Sequence, residues 1–382
     1  MPTMPPAGLP AERPESEKPD VVVAALSARA LAAAARRAGR RPAAIDLFAD
    51  LDTRRLAAPC LRMSPGGLPD ALERAELRGL PLVHGAGFEE DPALLARVAA
   101  ERPLPGNRAD VVARVKDPFV FAATLDRLGI PHPPVARTLD GPPGDHLLKR
   151  IGGSGGGHIT PASTLAPAAE APPGWYLQRR VAGHALSVLF LADGSRAVVV
   201  GLSRQWTAPT ADSPYRYGGA AGPWRCPERL TRTLPGMMSR LAAAFGLVGL
   251  NSADFLVNGP DLHLLEINPR PGATLDVFDR PPMPPLFGLH LDACSGRLPD
   301  RLPAPWGCRA AAVLYADTPT RIGAGTRWPA WTADRPAPPT VIARGEPVCT
   351  VLGDGPSAGA ARRHAERLRL QLAALAAMEM QS

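Results

Sequence analysis

Lysine, cysteine and aromatic residues are scarce in this chain of 382 residues. Three of its 43 basic residues are lysine, five residues are cysteine, and 5% are aromatic. The cysteines (Cys60, Cys226, Cys294, Cys308, Cys349) are scattered and never spaced C-x-x-C. That argues against a disulfide framework or a zinc site and suits a reducing cytoplasm. The eight histidines form no H-x-H or H-E-x-x-H pair, so transition-metal catalysis has no support. No apolar run reaches the ~18 residues of a membrane span. The first 20 residues carry too many prolines and charges for a secretory signal. This reading therefore expects neither a membrane protein nor a secreted one.

What is present describes a globular protein. Hydrophobic residues make up 45%, and the net charge is +7, which leaves ample core material and excludes a disordered polyelectrolyte. At this length two or three packed units are expected. Arginine is the default cation in a composition biased toward Ala, Arg, Pro and Gly, so the basic balance needs no nucleic-acid partner. The exceptions, Lys116 and Lys149, stand where a flexible point charge serves better than a planar guanidinium.

Residues 1–19 hold six prolines and read as a disordered tail. From Val21 the chain alternates apolar strands with helical segments. VVVAAL is followed by ARALAAAARRAG, stopped by Gly39, then by the strand AAIDLFADLD. LPDALERAELRG, PLVHGAGFEE and DPALLARVAAE continue the pattern as helix, strand and helix. This predicts a parallel α/β domain over 20–105. A helix capped by Asp117 with Pro118 in its first turn comes next. From about 146 the texture changes to short strands and tight turns, an antiparallel sheet, with a helix at 227–245 and a hairpin over 251–270. Residues 301–355 read as short strands among prolines, and a helix closes the chain.

Two places carry chemistry. In IGGSGGGHI, Gly152, Gly153, Gly155, Gly156 and Gly157 surround Ser154. Glycine lets backbone N–H groups approach phosphate oxygens. The loop is neither a Walker A motif nor a G-x-G-x-x-G fingerprint, since His158 takes the last glycine position and Pro161 spoils a following helix. A flexible surface hairpin is the competing reading, and Lys149 on the strand leading in favours phosphate. In the second place, a hairpin closing on Gly259, Pro260 and Asp261 would set Asp254 opposite Glu266, with Asn268 on the same face. Three oxygen donors beside phosphates suit Mg²⁺. A two-residue turn would send Asp254 to the other face. An exposed acidic hairpin is the alternative, and it fits poorly with Glu266 inside the apolar run LHLLEI.

HLLKRIGGSGGGHI, YLQRRVAGHALSV and GLNSADFLVNGPDLHLLEINPRPGAT, in that order, resemble the ATP-grasp superfamily over about 106–290. SARALAAAARRAG, IDLFADLD, HGAGFEE and LPGN further resemble a little-characterised branch of ATP-dependent carboxylate-amine ligases. The resemblance implies an N-terminal parallel α/β domain followed by an ATP-grasp domain over 106–300, its smaller antiparallel subdomain at about 146–190, with 301–382 packed on it. It implies that Lys116 and Lys149 contact phosphates, and that Gly153, Ser154, Gly155, Gly156 and Gly157 cover the β- and γ-phosphates. Gln178, Arg179 and Val181 would belong to the hinge that meets adenine. Asp254, Glu266 and Asn268 would hold Mg²⁺, one ion or two, with Mn²⁺ able to substitute. Arg270 would face the transferring phosphoryl group or an acyl phosphate. One departure is Ala185, which stands where many members place a ribose-binding glutamate.

The implied reaction is amide formation from a carboxylate and an amine, both small molecules, with ATP; a homodimer is the assembly considered. Relatives of this branch point to pterin- or furan-type C1-carrier coenzymes. An ATP-binding regulatory protein, or a kinase or carboxylase on the same fold, remain as other readings. Arg29, Asp46, Asp50, Asp52 and Glu89 are candidates for a substrate cleft beyond the strand ends, with helix capping or surface ion pairs as the alternative. Arg204 and Trp206 are weaker candidates. Trp306, Trp328 and Trp331 read as packing residues.

Overall fold

The computed structural model describes residues 18–64 and 67–379. The expected disordered tail lies, up to residue 17, outside the described residues. Strands β1 (Val21–Ala25), β2 (Pro42–Asp46), β3 (Cys60–Arg62) and β4 (Leu82–His84) form a parallel sheet in the order β3-β2-β1-β4. Helices α1 (Arg29–Arg37), α2 (Leu51–Leu56), α3 (Leu68–Leu72) and α4 (Pro92–Glu101) connect or flank them. Both faces of β1 are covered. Val21, Val23 and Ala25 join one core and Val22 and Ala24 another, the continuous apolar run that a buried parallel strand requires. Gly39 closes α1 at φ +72°, where a Cβ would be strained. The strand expected over AAIDLFADLD ends at Asp46, and α2 and β3 are additions to the sequence reading. Both are too short to carry a periodic signal.

Helix α5 (Ala109–Lys116), also unforeseen, leads into α6 (Pro118–Leu128). Asp117 caps α6 by accepting from the N–H groups of Phe119 and Val120, as expected. A small antiparallel sheet follows, β5 (Val135–Ala136), β6 (His146–Arg150), β7 (Ile159–Pro161) and β8 (Trp175–Arg179), in the order β5-β8-β6-β7. This unit starts earlier and ends earlier than the expected 146–190.

Strand β9 (His184–Asp193) already belongs to the large sheet, with β10 (Ala197–Thr207), β11 (Tyr217–Gly222), β12 (Val248–Asn258) and β13 (Asp261–Asn268). Helix α7 (Glu228–Phe245) packs on one face, with Phe190 and Phe255 beneath it. Helices α8 (Leu275–Phe278) and α9 (Leu286–Cys294) pack with α1 on the other. Strands β14 (Cys308–Tyr315), β16 (Thr332–Ala333) and β18 (Pro347–Gly355) extend the same sheet, giving the order β13-β12-β9-β10-β11-β14-β18-β16. The C-terminal strands are thus continuous with the sheet of the central region. A separate ribbon pairs β15 (Thr320–Ile322) with β17 (Thr340–Ile342), and α10 (Ala358–Glu379) closes the chain. No helix among the described residues is long and apolar enough to cross a membrane.

Candidate functional site

The β12–β13 hairpin turns on two residues, Gly259 and Pro260, with Asn258 paired to Asp261. Gly259 has φ +55° at the first turn position, the place of glycine in a tight II′ turn. This corrects the three-residue turn expected from the sequence. Such a turn would by itself set Asp254 opposite Leu265. Instead Phe255 pairs with Leu264 while Asp254 pairs with Glu266, so Leu265 is an extra, bulged residue. The bulge re-aims the strand and restores by another route the juxtaposition of the two carboxylates.

Lys116, at the C-terminal end of α5, reaches this face. Its Nζ donates to Asn268 Oδ1 at 3.0 Å and lies 3.4 Å from Glu266 Oε2. Asn268 Nδ2 donates to Asp254 Oδ2 at 3.0 Å. Desolvation and then repulsion from Glu266 push Asp254 up to about 6. Desolvation acts on Glu266 in the same sense but is outweighed by Lys116 and Lys149, so its pKa lies below the usual glutamate value. One carboxylate of the pair is thus held charged by lysines and the other is left short of positive charge. The donor set is hard oxygen, and the residues fit a Mg²⁺ ion that would relieve Asp254.

Across the cleft, β6 and β8 place Lys149 and Gln178 side by side, Nζ donating to Oε1 at 3.3 Å. Burial opposes the Lys149 charge, but Tyr176, Glu266 and Asp254 hold its pKa above the ordinary lysine value. The Gln178 side chain is therefore turned toward Lys149, a contact the hinge reading did not include. In the segment that joins the small sheet to β9, the Arg179 and Arg180 N–H groups go to Pro134 O and Asp145 O, and Val181 follows them.

The glycine loop spans the gap between β6 and β7. Gly152, Gly155 and Gly156 have φ of +75°, +69° and +77°. A Cβ on Gly156 would lie 2.0 Å from Tyr215 O, and one on Gly153 would strike the His158 ring at 2.4 Å. The loop leans on the 213–217 segment, where the Tyr217 N–H donates to Gly155 O. The cleft under it is lined by Lys116, Arg150, Gly152, Gly153, His158, Tyr176, Gln178 and Glu266 among others. Ser154 contributes its carbonyl to His158 Nδ1. Ala185 is paired with Leu256, on β9 just beyond the hinge.

Arg270 follows β13 and is 8% exposed. Its Nε donates to Glu89 Oε1 at 2.6 Å, bringing the GAGFEE segment of the N-terminal unit against the hairpin. Desolvation of Glu89 is outweighed by Arg270 and Lys116, which pull it down to about 2. Arg29, Asp46, Asp50 and Asp52 gather elsewhere, at the strand ends of the N-terminal sheet.

Sequence reasoning missed His158, Gln205 and Tyr176. Burial lowers the His158 pKa in spite of Glu266, favouring a neutral imidazole. Gln205 Nε2 approaches Asp254 Oδ1 at 3.4 Å. The candidates flanking it, Arg204 and Trp206, face the other way, against Trp224 and Arg362. Strand alternation was the available signal. Trp306, read as packing, is 61% exposed, while Trp328 and Trp331 do pack at a core edge.

This geometry agrees with the comparisons. Residues 115–274 match the family model described as the ATP-grasp domain, so the chain contains an ATP-grasp domain. Solved structures share the fold along nearly the whole chain. The biotin carboxylase domain of Hydrogenobacter thermophilus 2-oxoglutarate carboxylase, in complex with MgADP, ADP and bicarbonate, is 13% identical with a TM-score of 0.66, covering 89% of this chain and 87% of that one. Phosphoribosylamine–glycine ligase of Thermotoga maritima is 17% identical with a TM-score of 0.64, over 91% and 95%. An ADP complex of N5-carboxyaminoimidazole ribonucleotide synthetase is 15% identical at 0.64, over 93% and 97%. No curated protein matches the sequence significantly.

Lys149→Ala is expected to weaken the binding of a non-hydrolysable ATP analogue by roughly 10–100-fold in titration calorimetry, the cost of leaving phosphate charge unpaired in a partly desolvated site. Replacing the exposed Arg108 should leave the affinity within about twofold. Equal affinities in wild type and Lys149→Ala would remove Lys149 from the site.

Proposed function

We propose that the chain is an ATP-dependent ligase that joins a small-molecule carboxylate to an amine through an acyl phosphate. The observation that carries this reading is one cleft that gathers buried Lys116 and Lys149, the glycine loop, and the Asp254–Glu266–Asn268 face. Arg270 stands beside it. Lys116, Lys149 and the loop N–H groups would bind the ATP phosphates, and the hinge at 178–181 the adenine. Mg²⁺, held by Asp254, Glu266 and Asn268 when bound, supplies neutralisation of phosphate charge.

The carboxylate oxygen attacks the γ-phosphorus, the bond to the β-phosphate oxygen breaks, and ADP leaves. The amine nitrogen then attacks the acyl carbon, the carbon–oxygen bond to phosphate breaks, and the nitrogen loses its proton. Positioning and electrostatics suffice for the first step, and no nucleophilic side chain is required. Arg270 would stabilise the acyl phosphate. The finer assignment, an amino-acid or glutamyl ligation in the assembly of a pterin- or furan-type C1 carrier, follows from the sequence resemblance described above.

The direct test uses hydroxylamine, which intercepts an acyl phosphate as a hydroxamate without the natural amine. A panel of amino acids, glutamyl compounds and aromatic acids, incubated with ATP, Mg²⁺ and the protein, is expected to give carboxylate-dependent ADP and a hydroxamate. A stable phosphoester from a hydroxyl compound, with no hydroxamate from any carboxylate, would instead establish kinase action.

A further inference from the structure

Where the N-terminal sheet meets the large sheet, acidic side chains crowd the buried guanidinium of Arg29. Arg29, 4% exposed, donates Nη1 and Nη2 to Asp276 at 2.5 and 2.6 Å and Nε and Nη2 to Asp334 at 3.0 Å each. Asp46, the last residue of β2, accepts from the N–H groups of Ala28, Phe48 and Ala49. Asp52 accepts from the N–H groups of Asp334 and Arg335. Four carboxylates are thus satisfied. Asp50 is not: it is 4% exposed, its side chain caps no N–H of the helix it precedes, and among the described residues no side chain or N–H group donates to it. The Arg29 guanidinium attracts Asp50 without bonding to it, and that of Arg335 is turned to the carbonyls of Pro329, Ala330 and Thr332.

We infer that this cluster is the subsite for the ammonium group of the amine substrate, with Asp50 as the carboxylate that receives it; this rests on the ligase reading above. Three observations carry it. First, an unpaired carboxylate this deeply buried is costly unless a partner arrives. Asp46, Asp52 and Asp334 face it with like charge, so the missing partner is a cation. Second, the cation is organic. Among the described residues no three acidic or histidine side chains are arranged to hold a metal ion, because the Asp46 and Asp52 oxygens are taken by backbone N–H groups, and Arg29 already sits in the middle. Third, the place is right. The cluster lies beyond the carboxyl ends of β1 and β2, where parallel sheets bind ligands. Burial, then Asp254, Tyr315 and Asp276, push the Tyr217 phenol up, which puts it within electrostatic reach of one carboxylate of the phosphate cleft and one of this cluster. Burial, then Asp334, Asp46 and Asp52, push Asp50 up to about 8, against the opposing pull of Arg29.

The test is thermal denaturation of the full chain with Mg²⁺ and a non-hydrolysable ATP analogue, at neutral pH, in the presence of n-butylamine, 1,4-diaminobutane or benzylamine. The neutral control is 1-butanol, and the bulky-cation control is tetramethylammonium. At least one primary amine should raise the wild-type Tm in a saturable way, and neither control should. In Asp50→Asn the amine's apparent Kd should rise at least tenfold, with stabilisation by the ATP analogue as the check on folding. The variant itself should melt above wild type, because a carboxylate whose folded pKa is raised costs stability at neutral pH; a purely structural carboxylate would do the opposite. Asp50→Ser serves if the asparagine variant does not fold. No saturable amine effect, an effect that survives the substitution, or a lower Tm would each overturn the proposal. Hydroxylamine is uncharged at neutral pH and needs no cation subsite. Loss of hydroxamate with amine binding intact would therefore fail the ligase reading alone, and the reverse would fail the subsite alone.

Discussion

Glu266→Gln is expected to fold, to bind nucleotide, and to lose Mg²⁺-dependent phosphoryl transfer by roughly 10²–10³-fold or more, the range seen when one electrostatic stabiliser of a transition state is removed. The substitution keeps the shape of the side chain and takes away one charge from a site where two carboxylates face each other. Glu266 is the member of the pair that lysines keep ionised, whereas Asp254 is pushed up to about 6. Removing the Glu266 charge should therefore lower the Asp254 pKa toward its ordinary value and raise the Mg²⁺ concentration needed for half-maximal turnover. Lys116 keeps Asn268 as a partner, so the Tm should stay near wild type. Normal turnover with an unchanged Mg²⁺ requirement would show that the hairpin face does not serve the metal.

The identities of these residues were legible in the sequence, because local spacing carries them: a glycine loop after a strand, and E-I-N-P-R at the end of one. Their geometry was legible only in part. The pairing of Asp254 with Glu266 was expected from a three-residue turn, and it is reached through a two-residue turn plus a bulge at Leu265. Hairpin periodicity cannot distinguish the two, since one inserted residue in either place restores the same face. Elements of three to six residues, such as α2 and β3, lack the length for a periodic signal. The small sheet was placed late because β5 contributes two residues. The acidic cluster was visible as Asp46, Asp50 and Asp52, but its other half, Asp276 and Asp334, is 247 and 305 positions from Arg29. Nothing in a single sequence joins residues that far apart; the packing of the N-terminal sheet on the large one does.

The same packing underlies the second large effect, on Arg270. Glu89 arrives from 181 residues away and takes the Nε of this guanidinium at 2.6 Å. Nη1 lies near the Pro271 carbonyl at 3.4 Å, and among the described residues Nη2 has no hydrogen-bond partner. A guanidinium fixed at Nε by a buried carboxylate is held in one orientation, and its remaining N–H groups can pair with two oxygens of a phosphate or carboxylate at once. Arg270→Lys retains the charge and gives up the fork. An ammonium reaching Glu89 would be drawn to that carboxylate, already pulled down to about 2 by Arg270 and Lys116, and would leave the acyl phosphate oxygens unpaired. The expected result is ATP-analogue affinity within about threefold of wild type and hydroxamate formation reduced about 10²-fold or more. Glu89→Gln should act through Arg270: hydroxamate formation falls by about tenfold, since a neutral amide holds the guanidinium less firmly, while Arg270→Lys in that background adds little beyond its own effect. If Arg270→Lys forms hydroxamate at the wild-type rate, one positive charge is all that the step requires, and the Glu89–Arg270 pair is a structural clasp between the two sheets.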